Sequence, residues 1–348
     1  MSWYNTEGNN ADFVLFSKVK YIRNISKMPF YQLADPKGIQ DVTTKIDGIL
    51  SRNGFKGEKI ANGRNKSVYS LAEKQFVDLS FINSELSRTI YLNEPCNLLV
   101  LLGGKNFISI QSILPGQAIA DAKNTASGAE EMLDCELDFA YHDKLGYLSP
   151  NIYECGSGLE FSSALFLPSI RDSNSYEIIR SELSRRNIFI YPLFNTNPDT
   201  SGIYIVKYSP SYLADENIAT DYFVLAIEKI IEFEKQNQSI IYKNKSKIIL
   251  DNAHRALGTL LYSQSISEDE LLSLTSAIRL SRAFCSEENT STLPSSSDLN
   301  FLITEGLSNS ILINSNTKCS SVGECNELRS KLVKQYIKSK NNIGIEVI

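Results

Sequence analysis

Four segments between residues 89 and 168 constrain the fold most: TIYL (89–92), NLLVLL (97–102), FISIQSIL (107–114) and EFSSALFLP (160–168). Each is short, rich in β-branched and large apolar residues, and bounded by turn formers, the pattern of strands rather than helices. The GGKN between NLLVLL and FISIQSIL makes that pair a hairpin. Residues 13–30 read as a further strand running into a loop that Pro29 stops, and NIFIYPLF (187–194) and GIYIVKYS (202–209) as two more. A chain with this many strands has to build a sheet and cover it.

The covering helices show a different period. Ile39, Val42, Ile46, Ile49 and Leu50 recur at three- and four-residue intervals from Lys37 to Phe55, with Gly54 just past the end. Further helices are expected over Leu71–Leu86, Ala118–Phe139 and 175–187, and beyond Asn217 the chain is almost wholly helical. The Ser/Thr-rich stretch 285–298 reads as a linker, and ELRSKLVKQYIKSK (327–340) as a closing basic helix. The expected organisation is α+β: residues 1–245 form an antiparallel sheet flanked by helices, and residues 246–348 a helical domain.

At 348 residues the chain can bury a large core without covalent help. Its six cysteines show no CxxC pairing, so neither a zinc site nor a disulfide framework is expected. The net charge of −5 gives no footprint for nucleic acid. The acidic and polar start (Glu7, Asn9, Asn10, Asp12) is unlike a signal peptide, and no apolar run reaches membrane-spanning length, so a cytoplasmic location is expected.

The most specific stretch is ELDFAYHDKLGYLSPNIYECGSGLEFSSALFLP (136–168), with DFVLFSKVKYIRN near the start and SIQSILPG, GIYIVKYS and LDNAHRALGTLL following in order. It resembles the ATP:guanido phosphotransferases, in which Leu-Gly-Tyr-Leu precedes Cys-Pro-Thr-Asn-x-Gly-Thr-Gly-x-Arg and a strand ending in Leu-Pro. The trailing helices make the resemblance strongest to the bacterial protein-arginine kinases. That resemblance implies the guanidino-kinase catalytic fold, ATP and magnesium as cofactors of any activity, and a dimer. It also implies partners among an active arginine kinase, a zinc-finger adaptor and a Clp-type unfoldase.

Phosphoryl transfer to a guanidinium requires cations around the phosphates and carboxylates that hold the guanidinium in line. The two arginines of the family's Ser-Arg-x-Arg correspond to Lys18 and Lys20, which keep the charge and lose the bidentate fork. With Arg23 they are the candidate residual phosphate contacts. The other family arginine positions correspond to Ser109, Glu160 and Ile190, and the catalytic positions to Lys105, Asn151 and Asn195. Each missing charge-assisted hydrogen bond forfeits about 1.5–3 kcal/mol. A cation at 105 reverses the interaction a guanidinium needs. Of the tail's phosphoarginine-binding pattern, Arg329 is the counterpart retained. These substitutions imply a pseudokinase acting by binding. The alternatives are a divergent active kinase, in which Glu154 or Glu160 would serve the guanidinium, and a phosphoarginine-binding module.

Overall fold

The structure is a computed structural model describing residues 2–60, 66–82, 88–173, 175–194, 200–210, 214–314 and 321–340. Its centre is an antiparallel sheet of eight strands: β1 (Val14–Arg23), β2 (Lys56–Ile60), β3 (Arg88–Leu92), β4 (Leu98–Leu102), β5 (Ile108–Pro115), β8 (Leu159–Phe166), β9 (Ile188–Pro192) and β10 (Ile203–Tyr208). The short strands β6 (Tyr141–His142) and β7 (Gly146–Tyr147) pair apart from it. The order across the sheet is β2-β3-β4-β5-β1-β8-β10-β9, which makes β1 a central strand, paired with β5 on one side and β8 on the other. The GGKN hairpin forms as expected, with Leu102 opposite Ile108.

Both faces of the sheet are covered, and strand parity decides which residue faces which cover. One face carries Val19, Tyr21, Val100, Ile110, Phe161 and Val206. It packs against α1 (Pro36–Arg52), α4 (Ile119–Asp134) and α7 (Glu216–Ile241). Asp35 caps α1, accepting from the amides of Lys37 and Gly38, and Pro36 starts the helix with φ already set. The helices α5 (Pro168–Asp172) and α6 (Tyr176–Ser184) lie beside α7. The buried Glu234 of α7 accepts from the amide and hydroxyl of Ser169 at the start of α5.

The other face has two covers. The helices α2 (Lys66–Glu73) and α3 (Leu79–Ile82) lie over Ile90 and Leu101. Leu272 and Ile303, with Trp3 and Tyr4 from the N-terminal turn, lie over Phe16, Leu99, Ile113 and Phe166. They come from α9 (Glu268–Phe284) and α11 (Ser296–Glu305), members of the set completed by α8 (Ser246–Tyr262), α10 (Glu287–Thr290), α12 (Ser308–Asn314) and α13 (Val322–Lys340). The second half of the chain therefore completes the core of the first. No described helix is long and apolar enough to cross a membrane.

Two sequence expectations are corrected. The single helix over Leu71–Leu86 is broken, because Gln75 adopts φ +61°, and residues 83–86 of that span lie outside the described residues. The freed carbonyls of Lys74, Gln75 and Phe76 accept hydrogen bonds from Trp3 Nε1 (2.9 Å), Lys18 Nζ (3.0 Å) and Gln111 Nε2, so the break is bonded to the sheet beneath it. The stretch 285–298 is no linker. Ser295 caps α11 in a reciprocal box with Asp298, while Ser296 bonds Glu7 and Asp12 near the N-terminus. Its serines are caps and clasps.

Candidate functional site

The strand parity that buries Val19 and Tyr21 on one face turns Lys18 and Lys20 to the other. Lys20 stands directly opposite Glu160 on β8 and pairs with it at 3.0 Å. Glu160 also takes Lys207 of β10 at 2.6 Å, so one carboxylate bridges two ammonium groups across three neighbouring strands. Asp78, from the segment before α3, adds a second carboxylate 3.3 Å from Lys20. Lys18 is buried beneath them and donates to the Gln75 carbonyl.

The charges set one another. Burial alone would neutralise Glu160, but Lys20 and Lys207 outweigh it and hold the carboxyl below the usual range. Lys20 foremost, helped by Lys18 and Lys207, does the same to Asp78. Burial works against the Lys20 cation as well, and Glu160 and Asp78 overcome it, raising the ammonium well above its ordinary value. Lys18 goes the other way: burial lowers it despite Asp78.

Lys20, Asp78, Glu160 and Lys207 line a cavity of about 250 Å³ that also contains Ser109, Lys105 and Glu154, with Ile22, Phe81 and Leu101 as its apolar lining. Lys105, on the GGKN turn, pairs with Glu154 at 2.5 Å. Glu154 further accepts from Ser149 Oγ (3.1 Å), Asn106 Nδ2 (3.2 Å) and Asn151 Nδ2 (3.2 Å). Those donors and the Lys105 charge hold Glu154 below the ordinary carboxylate range against the opposing effect of burial. Behind it, Asn24 donates to Asn106 Oδ1 and to the Leu148 carbonyl while accepting from the Phe107 amide. The Ser109 hydroxyl is buried with no partner among the described residues.

Five of the positions singled out from sequence thus converge: Lys18, Lys20, Lys105, Ser109 and Glu160, with Asn151 reaching the same cluster through Glu154. Three others do not. Arg23 has the parity of Tyr21 and lies on the opposite face, buried, with Nε 2.6 Å from Glu130 of α4 and the guanidinium 3.4 Å from the Tyr147 ring centroid. It braces the sheet against α4 and cannot reach a ligand in the cavity. Gly158, at φ +59°, makes room for it, since a Cβ there would lie 2.6 Å from Arg23 Nη1. Ile190 is in the core of that same opposite face, so Phe189 and Tyr191 are the residues of β9 that turn toward the cavity side. Arg329 is buried in the helical region. Its Nε donates to Gly306 O, Nη1 to Ile266 O and Asn326 Oδ1, and Nη2 to Glu268 and Ser308, which engages all five N–H groups. Every N–H of its guanidinium is thus committed within the chain. Asn195 lies outside the described residues.

Sequence reasoning missed Asp78 and Lys207. The signal for Lys207 was available: it shares strand parity with Ile203 and Ile205, both buried, and a cation on the inward face of a strand needs a partner. Asp78 had no such signal, because the break at Gln75 that presents it is a tertiary effect.

The arrangement does not fit magnesium-bound ATP. Lys20 and Lys207 already meet Glu160, Lys18 donates to the Gln75 carbonyl, and the cavity is smaller than the roughly 300–1,000 Å³ usual for ligand pockets. No group of three or more potential metal ligands exists among the described residues.

The family model for the ATP:guanido phosphotransferase C-terminal catalytic domain matches residues 39–237. Among curated proteins, the chain is 24% identical to the protein-arginine kinase of Halothermothrix orenii, over 80% of this chain and 81% of that one. It is 22% identical to the protein-arginine kinase of Clostridium novyi over 99% of both. Among solved structures, lombricine kinase aligns with a TM-score of 0.55 at 15% identity, covering 68% of this chain and 69% of that one. The duplicated taurocyamine kinase of Schistosoma mansoni, with bound transition state analog components, aligns at 0.54 and 16% identity over 66% of this chain, which spans only 33% of that longer protein. These likenesses show a shared fold. With a family match over more than half its length, the chain belongs to the ATP:guanido phosphotransferase family, and the relatives it resembles there are bacterial protein-arginine kinases.

Proposed function

We propose that this chain is a pseudokinase of the protein-arginine kinase type, a family member that acts by binding. The observation that carries the reading is the Glu160 carboxylate between Lys20 and Lys207, at 3.0 and 2.6 Å, where the resemblance expects an arginine facing a phosphate. A phosphate entering there would have to break two ion pairs and then lie against a carboxylate. At the other end, Lys105 stands where the family has its catalytic glutamate, and its partner Glu154 is engaged by four donors. The binding role belongs to a protein-arginine phosphorylation and Clp quality-control system. There the chain would pair with an active relative or dock on the zinc-finger adaptor or the Clp-type unfoldase.

Calorimetric titration with magnesium and ATP, beside a phosphotransfer assay on an arginine-rich protein, tests this reading. The expected result is no saturable heat at millimolar ATP and no phosphoarginine. Transfer at the rate of active relatives would sink the proposal. One observation favours a divergent active kinase, the convergence of Lys20 and Lys207 on one cavity with Lys18 buried beneath them. That reading requires magnesium-dependent ATP binding that K20A abolishes.

A further inference from the structure

The turn between β4 and β5 is fixed by bonds that do not involve the side chain of Lys105. Gln32 Nε2 donates to the carbonyls of Gly104 (3.2 Å) and Lys105 (2.5 Å), and the Gly103 amide donates to Phe107 O at 3.1 Å. Asn24 accepts from the Phe107 amide at 2.8 Å and donates to Asn106 Oδ1 at 2.9 Å. The Lys105 side chain is left with one contact. Its Nζ meets Glu154 Oε1 and has no second partner among the described residues.

Glu154 is held in place without Lys105 as well. Asn151 Nδ2 donates to Oε1 at 3.2 Å, and Asn106 Nδ2 and Ser149 Oγ reach Oε2 at 3.2 and 3.1 Å. The loop that carries it is closed on itself, with the Glu154 amide on Asn151 O (2.9 Å) and the Ser149 amide on Cys155 Sγ (3.3 Å). A carboxylate offers about four lone-pair sites, so three neutral donors leave one open beside a full negative charge. That is a cation site, whatever supplies the cation. An ion pair between two loose surface side chains gains little, because both must be ordered to form it. Here the carboxylate is oriented beforehand, and only the lysine stem is ordered by the contact. We propose that Glu154, with Asn106, Asn151 and Ser149, forms a binding site for a primary ammonium group, and that Lys105 is its resident ligand, supplied by the chain itself. A tethered ammonium gives up only the rotamers of its stem, whereas a free amine gives up its translation too, so the lysine excludes amines from solution. The contact also joins the 103–107 turn to the 149–155 loop at one end of the cavity, which makes it autoinhibitory. That inhibitory sense rests on the binding reading above; the ammonium site itself does not.

Chemical replacement of the lysine head tests this. n-Propylammonium restores atom for atom what K105A removes, and a charge-assisted hydrogen bond to a free amine saturates at roughly 10–100 mM. In K105A the amine should shift the side-chain amide signals of Asn106 and Asn151 with a midpoint in that range. In the wild type the same signals should need at least about tenfold more amine, because the tethered head competes. Tetramethylammonium, a cation without N–H groups, matches the ionic strength and should move neither protein. K105A/E154Q should lose the response to propylammonium. Equal midpoints in K105A and the wild type, an equal response to tetramethylammonium, no saturation in K105A, or a response that survives E154Q overturns the proposal. Phosphotransfer by the wild type would sink the binding reading alone, and the amine titrations would still decide the ammonium site.

Discussion

Glu160 has two cationic partners, and its removal tests the cavity more sharply than removal of either lysine. With E160R the cavity would hold Lys20, Lys207 and an arginine against Asp78, with Lys18 buried beneath and the Lys105–Glu154 pair at its other end. Inorganic phosphate, followed by chemical-shift titration, should then bind at least about tenfold tighter than to the wild type, a change of about 1.4 kcal/mol. The same ion pairs give stability a pH dependence of definite sign. Glu160 and Asp78 titrate lower in the folded chain than in the unfolded one, so between those values the unfolded chain binds more protons. Their stabilisation is complete above the unfolded carboxylate range, about pH 4, and is lost as pH falls through the folded values. Melting curves from pH 7 downward should show the loss, and E160Q should flatten it. Arg23 belongs to a different account. It is a buried cation held by Glu130, and R23A should destabilise the fold by about 3–5 kcal/mol in urea titration without changing phosphate affinity.

At the level of elements, strands were the most legible part of the sequence and the break between α2 and α3 the least. The strands at 98–102, 108–115 and 159–166 were apparent because short β-branched runs between turns admit few other readings. The same period of two could have separated Lys18 and Lys20 from Arg23, and could have placed Ile190 in the core, had parity been applied along β1 and β9. Motif spacing alone grouped residues that face opposite sides of one sheet. Gln75 was illegible for another reason: its backbone angle is stabilised by donors from Trp3, Lys18 and Gln111, which are close only in the folded chain. The serines of 285–298 were misread because serine favours caps and loops alike. S295A, which removes the half of the box in which the Ser295 hydroxyl accepts from the Asp298 amide and keeps the backbone half, should cost about 1 kcal/mol in a thermal or urea melt. Larger changes would mean that the clasp of Ser296 to Glu7 and Asp12 had been lost with the cap.

On the scale of the whole molecule, the sheet and the helices beyond Lys245 share one core through Leu272 and Ile303. I303A or L272A should each cost about 2–5 kcal/mol. The loss should appear in one cooperative transition, with tryptophan fluorescence of Trp3 and far-ultraviolet dichroism melting together. Two separated transitions would show that the helices and the sheet unfold independently. The bridge at Glu160 has a further consequence for the molecule. A phosphate comes and goes with the cell's supply of nucleotide, but a carboxylate attached to the chain is always at hand. On the proposed binding role, the cavity, with its anion built in, would keep one shape whether ATP is abundant or exhausted. A partner that read this surface would then meet the same ion-paired carboxylate in a fed cell and in a starved one.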